Sequence, residues 1–286
     1  MLVGPLKSEF DISDFEFGLL FGGAFAIIYG MLGLPIARLV DRGNRKFLIF
    51  AGVVLWSFCT FSSGLATSFG MLVILRVGLA IGEAVLSPAA YSMIGDMFPP
   101  ERRSLPAAIY AAAGNIGTYG AYVAGAGIFA VISASPIASS ELLSQFAVWQ
   151  IVFFLVGIPG MLVALIFLTS THEPPRTAEE DAGLLNLGAA LRFFLRRFRL
   201  FAGLFFGASF ITVIIFAYGA WTPEFFHRSF GWAVEDAALA YGSIGVFSSA
   251  LGTLAFTHFA ERLTRQGRSD GIVISALVGA IVGSLA

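Results

Sequence analysis

The chain has 286 residues, of which 57% are apolar and only 12% charged, with mean hydropathy +0.85 and net charge −1. A soluble domain carries about 25% charged residues, and here the apolar residues come in long runs rather than amphipathic stripes, so most of the chain belongs in lipid. The sequence carries no P-loop, dinucleotide fingerprint, Gly-x-Ser-x-Gly elbow or basic nucleic-acid stripe. His172, His227 and His258 have no metal spacing, and the lone Cys59 has no intrachain disulfide partner. The expectation is a membrane protein that is not an enzyme and needs no cofactor.

In chain order, residues 1–16 carry Lys7, Glu9, Asp11, Asp14 and Glu16 and lack the apolar core of a signal peptide. Apolar segments then predict membrane helices over 17–37, 47–66, 71–97, 105–133, 146–169, 200–221 and 237–259, with a shorter one at 271–286. The fold class is therefore an all-α, multi-pass integral membrane protein with seven to eight transmembrane helices. Lys and Arg fall unevenly among the loops. Fourteen lie in the loops that begin at Arg38, Phe98, Thr171 and Ala260, against two, Lys7 and Arg228, on the other side. The richer loops are read as cytoplasmic and residues 1–16 as outside. A polytopic chain that starts outside without a signal peptide suggests one helix missing before Met1, so the chain reads as a middle piece of a longer protein.

The polar break at 171–199 holds Pro174-Pro175, an acidic cluster (Glu179, Glu180, Asp181) and a basic amphipathic run through Arg192, Arg196, Arg197 and Arg199. It reads as a linker between a first bundle, residues 1–170, and the start of a second, residues 200–286. The basic run is either a helix lying on the anionic cytoplasmic leaflet or an ordinary positive flank of the next helix.

Arg76 and Glu83 interrupt an otherwise apolar run. A charge at bilayer depth costs roughly 2.5–3.5 kcal/mol on insertion scales, so it marks a polar cavity or relay. Seven residues apart, the two lie on one helix face. Gly78 and Gly82 form a small-xxx-small face beside them. In the next segment Asn115 and Tyr119 are cavity candidates, and the small residues Gly117, Ala121 and Gly125 predict a tight packing face. Ser209, Thr212 and Tyr218 are further polar candidates, and Trp221 reads as an interface anchor.

Gly33, followed by Asp41-Arg42-Gly43-Asn44-Arg45-Lys46, resembles the loop motif of the major facilitator superfamily. A weak echo follows at Gly252, Glu261, Arg262 and Arg265. The resemblance implies twelve helices in two six-helix bundles, of which this chain would hold the second to the eighth and part of the ninth. It also implies a gate latch: the motif Asp (here Asp41) caps a neighbouring helix, and a motif Arg pairs with an acid at the end of the fourth helix, here Asp96. The string Arg76-x-Gly78-x-x-x-Gly82-Glu83-Ala84, with Ser87-Pro88 and the 98–104 loop, resembles the spinster-like branch. That branch implies that Arg76 and Glu83 face the central cavity and serve proton coupling or substrate binding. The segment 105–133, which the resemblance makes the family's fifth helix, lacks the Gly-Pro and double Gly of drug/proton antiporters. The function so implied is secondary active transport by alternating access, coupled to H⁺, of a small amphiphilic or anionic organic solute such as a lysolipid, in a bacterial inner membrane. The bilayer is the other partner. A sugar or organic-anion symporter, a non-transporting sensor, a channel and a membrane-embedded enzyme are the alternatives.

Overall fold

The computed structural model describes residues 2–99, 102–134, 145–176, 187–268 and 270–285. The acidic cluster at 179–181 and part of the 98–104 loop lie outside them. Among the described residues every regular element is helical: α1 (Val3–Phe10), α2 (Asp14–Gly18), a π-helical turn (Leu19–Gly23), α3 (Ala24–Arg42), α4 (Arg45–Ser63), α5 (Phe69–Ala84), α6 (Leu86–Met97), α7 (Ser104–Ala134), α8 (Val148–Ser170), α9 (Leu187–Arg196), α10 (Phe198–Phe230), α11 (Val234–Arg265) and α12 (Gly271–Leu285). Seven stretches of the described residues are long and apolar enough to cross a membrane: Asp14–Arg42, Arg45–Ser63, Phe69–Met97, Leu105–Ile132, Val148–Ser170, Phe198–Phe230 and Val234–Leu263. Their apolar side chains point outward, as Phe210 at 69% and Phe247 at 71% exposure illustrate. A water-soluble fold would bury them.

Helix ends follow local chemistry. Ser13 and Glu16 form a capping box that starts α2 upstream of the apolar run. Asn44 caps α4 by accepting from the Phe47 N–H at 2.8 Å, and Ser68 caps α5 by accepting from Met71 at 3.2 Å. Gly231, with φ +68°, ends α10 in the left-handed conformation. The predicted segment 71–97 is not one helix but two. Pro88 has no N–H to give the carbonyl of Ala84, and its ring crowds that carbonyl, so the ladder breaks at Val85. Pro223 would leave the Gly219 carbonyl unpaired in the same way, but the Tyr122 hydroxyl donates to it at 2.7 Å. In lipid such a rescue must come from a neighbouring group.

The chain divides into two compact units: residues 1–107 with 125–179, and residues 108–124 with 180–286. In the first, α4 packs against both α5 and α8. A Cβ added at Gly82 would lie 2.6 Å from the Gly52 carbonyl oxygen, and one at Gly157 would lie 2.7 Å from the Phe61 backbone nitrogen. Lipid removes the hydrophobic drive for helix association, so such close backbone approach supplies the attraction. Ile36 and Val40 of α3, Ile49 and Val53 of α4, Ala84 and Val85 at the end of α5, Ala89 and Met93 of α6 and Ala164 of α8 form a buried core. In the second unit α11 packs on α10 and on residues 119–123 of α7, while the Ser275 hydroxyl of α12 donates to the Phe256 carbonyl of α11 at 2.9 Å.

Candidate functional site

Arg45 opens α4, where the helix dipole disfavours a cation, and Asp96 lies near the end of α6, where it disfavours an anion. Each charge relieves the other. Arg45 is fully buried and its Nη1 donates to both Asp96 and the Ser92 hydroxyl, the latter at 3.0 Å. Its Nε donates to Glu173 at 2.7 Å and its Nη2 to the Pro174 carbonyl at 2.9 Å. The other oxygen of Glu173 accepts from the Lys46 backbone N–H at 2.7 Å. Burial alone would raise the Glu173 carboxyl, but the Lys46 N–H and the Arg45 guanidinium outweigh it and hold the group below its ordinary range. Arg176 closes the knot by donating to the Val40 and Gly43 carbonyls at 2.8 and 2.7 Å, capping the end of α3.

The expected pairing of a motif arginine with Asp96 is therefore present, and Arg45 makes it. Asp41 and Arg42, in contrast, are exposed on the last turn of α3. Among the described residues Asp41 caps no helix, because α3 runs on through it and turns it outward. Gly33 lies mid-helix with open space around its Cα, and Lys46 joins the knot through its backbone N–H. Glu173, Pro174 and Arg176 were missed in the sequence. Their one visible signal was polar residues just after a predicted span. The echo at the end of α11 yields only an exposed Glu261–Arg265 pair at 3.9 Å.

Two turns into α5 the chemistry is different. The Arg76 guanidinium lies over the Phe21 ring at 4.7 Å and the Phe25 ring at 5.5 Å, within cation–π reach. Its Nη2 donates to the Phe21 carbonyl at 3.3 Å. That carbonyl belongs to the π-helical turn, whose wider bonding leaves room for an outside donor. The buried Nε of Arg76 has no acceptor among the described residues. Glu83 is exposed on the final turn of α5, one residue before the break flanking Val85, and has no hydrogen-bond or ion-pair partner among the described residues. The two charges feel each other electrostatically without a direct ion pair. Gly78 and Gly82 do face a neighbour, α4: a Cβ on Gly78 would meet the Cys59 sulfur at 2.6 Å.

Asn115 and Tyr119 belong to the second unit. Asn115 is exposed and has no partner among the described residues. Tyr119 joins Tyr122 and Tyr241: its ring lies 5.8 Å from Tyr241, and Tyr122 lies 5.1 Å from Tyr241. Gly242 and Gly245 of α11 let that helix press against these rings. The predicted small-residue face does not pack through Gly117 and Ala121, which are both exposed. Small residues permit close approach; here α11 supplies the glycines and α7 the tyrosines, on another side of α7. Ser209, Thr212 and Tyr218 are exposed on α10.

The sequence profile of the Major Facilitator Superfamily matches residues 1–286, the whole chain. The chain belongs to that superfamily. It is 26% identical over 273 residues to an MFS-type efflux pump of Mycolicibacterium smegmatis, covering 93% of this chain and 58% of the pump. It is 26% identical to a probable L-galactonate transporter of Escherichia coli, covering 92% of this chain and 57% of that protein. Protein spinster homolog 1 of Xenopus laevis is 25% identical, with 94% of this chain and 52% of the relative covered. Among solved structures, a bacterial homolog to the human lysosomal transporter Spinster superposes in an inward-facing, unoccupied conformation with TM-score 0.72 at 34% identity, covering 93% of this chain and 58% of that one. The same homolog in its occupied, inward-facing conformation gives TM-score 0.74 at 33% identity, over 94% and 58% of the two chains. The chain thus spans little more than half the length of these relatives. As a superfamily member with seven membrane-length apolar helices, it is an integral, multi-pass membrane protein similar to the spinster-like branch.

Proposed function

We propose that the protein acts as a secondary active transporter by alternating access, coupled to H⁺, and moves a small amphiphilic or anionic organic solute. In this reading Glu83 is the proton-linked acid and Arg76 grips the anion. Asn115 and Tyr119 line the solute path, residues 171–199 join two bundles, and Gly33, Asp41, Arg42, Arg45, Lys46 and Asp96 belong to the gate motif, in which the Arg45–Asp96 pair is the latch. The supporting observation is that, among the described residues, the buried Nε of Arg76 has no acceptor and Glu83 on the same membrane helix has no partner. A guanidinium held under two aromatic rings keeps its charge and presents a planar fork suited to a carboxylate or phosphate. A carboxyl group at that depth exchanges its proton as its surroundings alternate between water and an apolar wall. The latch supports the same reading, because an ion pair at the membrane face is a contact that one conformation keeps and another breaks.

The likeness to a probable L-galactonate transporter favours a sugar-acid substrate; a lysolipid is the other candidate, on the resemblance of the 76–88 string to the spinster-like branch. Uptake into proteoliposomes separates them, with labelled galactonate and lysophosphatidylcholine as probes and an imposed pH gradient as drive. Saturable, gradient-driven uptake of one probe is expected. In Glu83→Gln, exchange should persist while the response to the gradient disappears. A variant that follows the gradient like the parent defeats the coupling role. No saturable flux of either probe would favour a sensor.

A further inference from the structure

Residues 192–200 form an exposed stretch in which four arginines alternate with large apolar side chains. Phe193, Phe194, Leu195, Phe198 and Leu200 are between 40% and 63% exposed. Among the described residues Arg192, Arg196, Arg197 and Arg199 have no carboxylate partner. Arg192 donates to the Gly188 carbonyl at 3.2 Å, and Arg197 stacks on the Phe193 ring at 5.1 Å. The stretch is not a loose tail. Phe194 packs edge-on against Phe201 at 4.5 Å and Phe193 approaches the same ring at 5.8 Å, so α9 is pinned to the first turn of α10.

Its depth follows from α10. Trp221 lies under the Arg228 guanidinium at 5.9 Å, next to the Glu224–Arg228 ion pair, and this group marks where α10 meets water at one face. Phe198 is about 35 Å back along the helix at 1.5 Å per residue. The hydrocarbon core is about 30 Å thick. The arginines of residues 192–199 therefore sit in the opposite headgroup layer, with their apolar neighbours turned to the acyl boundary. Unpaired guanidinium groups at that level need phosphate, and aromatic rings beside them need acyl chain.

We propose that Arg192, Arg196, Arg197 and Arg199, with Phe193 and Phe198, form a docking platform for the phosphate headgroups of anionic phospholipids. Each arginine adds about fivefold to the preference for an anionic over a zwitterionic surface, before screening by salt.

The test uses the whole chain purified in detergent. Lipid retention is read by native mass spectrometry with phosphatidylglycerol and phosphatidylcholine of matched chains, with inorganic phosphate as the free-anion competitor. Phosphatidylglycerol is expected to be retained at least about tenfold over phosphatidylcholine. The variant carrying Arg192→Gln, Arg196→Gln, Arg197→Gln and Arg199→Gln should lose that preference. The matching four-lysine variant should keep most of it, which separates charge from loss of fold. Millimolar phosphate should not displace the lipid. Three results overturn the proposal: a glutamine variant that retains the preference, a lysine variant that loses it as fully, or inorganic phosphate that competes as an equal.

Discussion

Arg45 and Arg76 are two arginines in one unit, and they are treated in opposite ways. Arg45 is saturated: two carboxylates, a hydroxyl and a carbonyl share its donors, and three stretches of chain converge on it. Among the described residues Arg76 has one long bond to a carbonyl, two aromatic faces and an Nε with nothing to donate to. A buried ion pair this complete is a joint, strong while closed and costly to leave half made. An arginine left incomplete in an apolar helix holds capacity for something outside the chain. The structural difference thus separates a group that holds helices together from one whose donors the described helices leave unused, as the proposed anion grip requires.

The largest test of that contrast is Arg45→Ala. It strands Asp96 and Glu173 without their cation and is expected to cost about 3–5 kcal/mol, measured as thermal or denaturant unfolding in detergent. A loss below about 1 kcal/mol would erase the distinction. Glu173→Gln examines one arm of the joint and should cost about 1.5–3 kcal/mol. The sign of its pH dependence is fixed. The folded carboxyl titrates below its ordinary value of 4.5, so its contribution is complete above that value and is lost as pH falls through the folded one. Acid unfolding of the parent should therefore carry a slope that Glu173→Gln lacks. Gly82→Ala probes the rod that bears the open charges. Its new methyl meets the Gly52 carbonyl oxygen at 2.6 Å, and overpacking of about 1–3 kcal/mol is expected in the same melt. Arg76→Ala should change stability least, by about 1 kcal/mol or less because no ion pair is broken, yet abolish solute-dependent protection in the melt. If it destabilises as much as Arg45→Ala, Arg76 is a structural group after all.

The spans were legible because each is a run of apolar residues longer than a bilayer core. Their ends were not, since α3 continues through the charged motif to Arg42 and α10 through Glu224 to Phe230. Polar residues at helix ends stay helical where the headgroup layer or a cap receives them. The string Asp41–Lys46 pointed to a latch but not to which arginine closes it. That choice depends on α4 starting at Arg45 and turning its side chain inward, a three-dimensional fact. Glu173 and Arg176 lie well over a hundred residues further along the chain than the groups they bind, and no local pattern ties such partners together. The Tyr119–Tyr122–Tyr241 cluster was half visible, because tyrosines in apolar helices are common and only the fold brings the third one in. Pro88 was in plain sight and announces the break at Val85, though a hydropathy window smooths over a single imino acid.

That break makes the Phe69–Met97 crossing two rods with a swivel. The upper rod carries Arg76 and Glu83, the lower one Asp96, and the peptide bonds between them lack the rung that would transmit torque. Bending there deforms an angle instead of severing a bond. The rod that bears the guanidinium can thus rock without first prising open the knot at the far end, and the knot can yield without dragging the acid out of place.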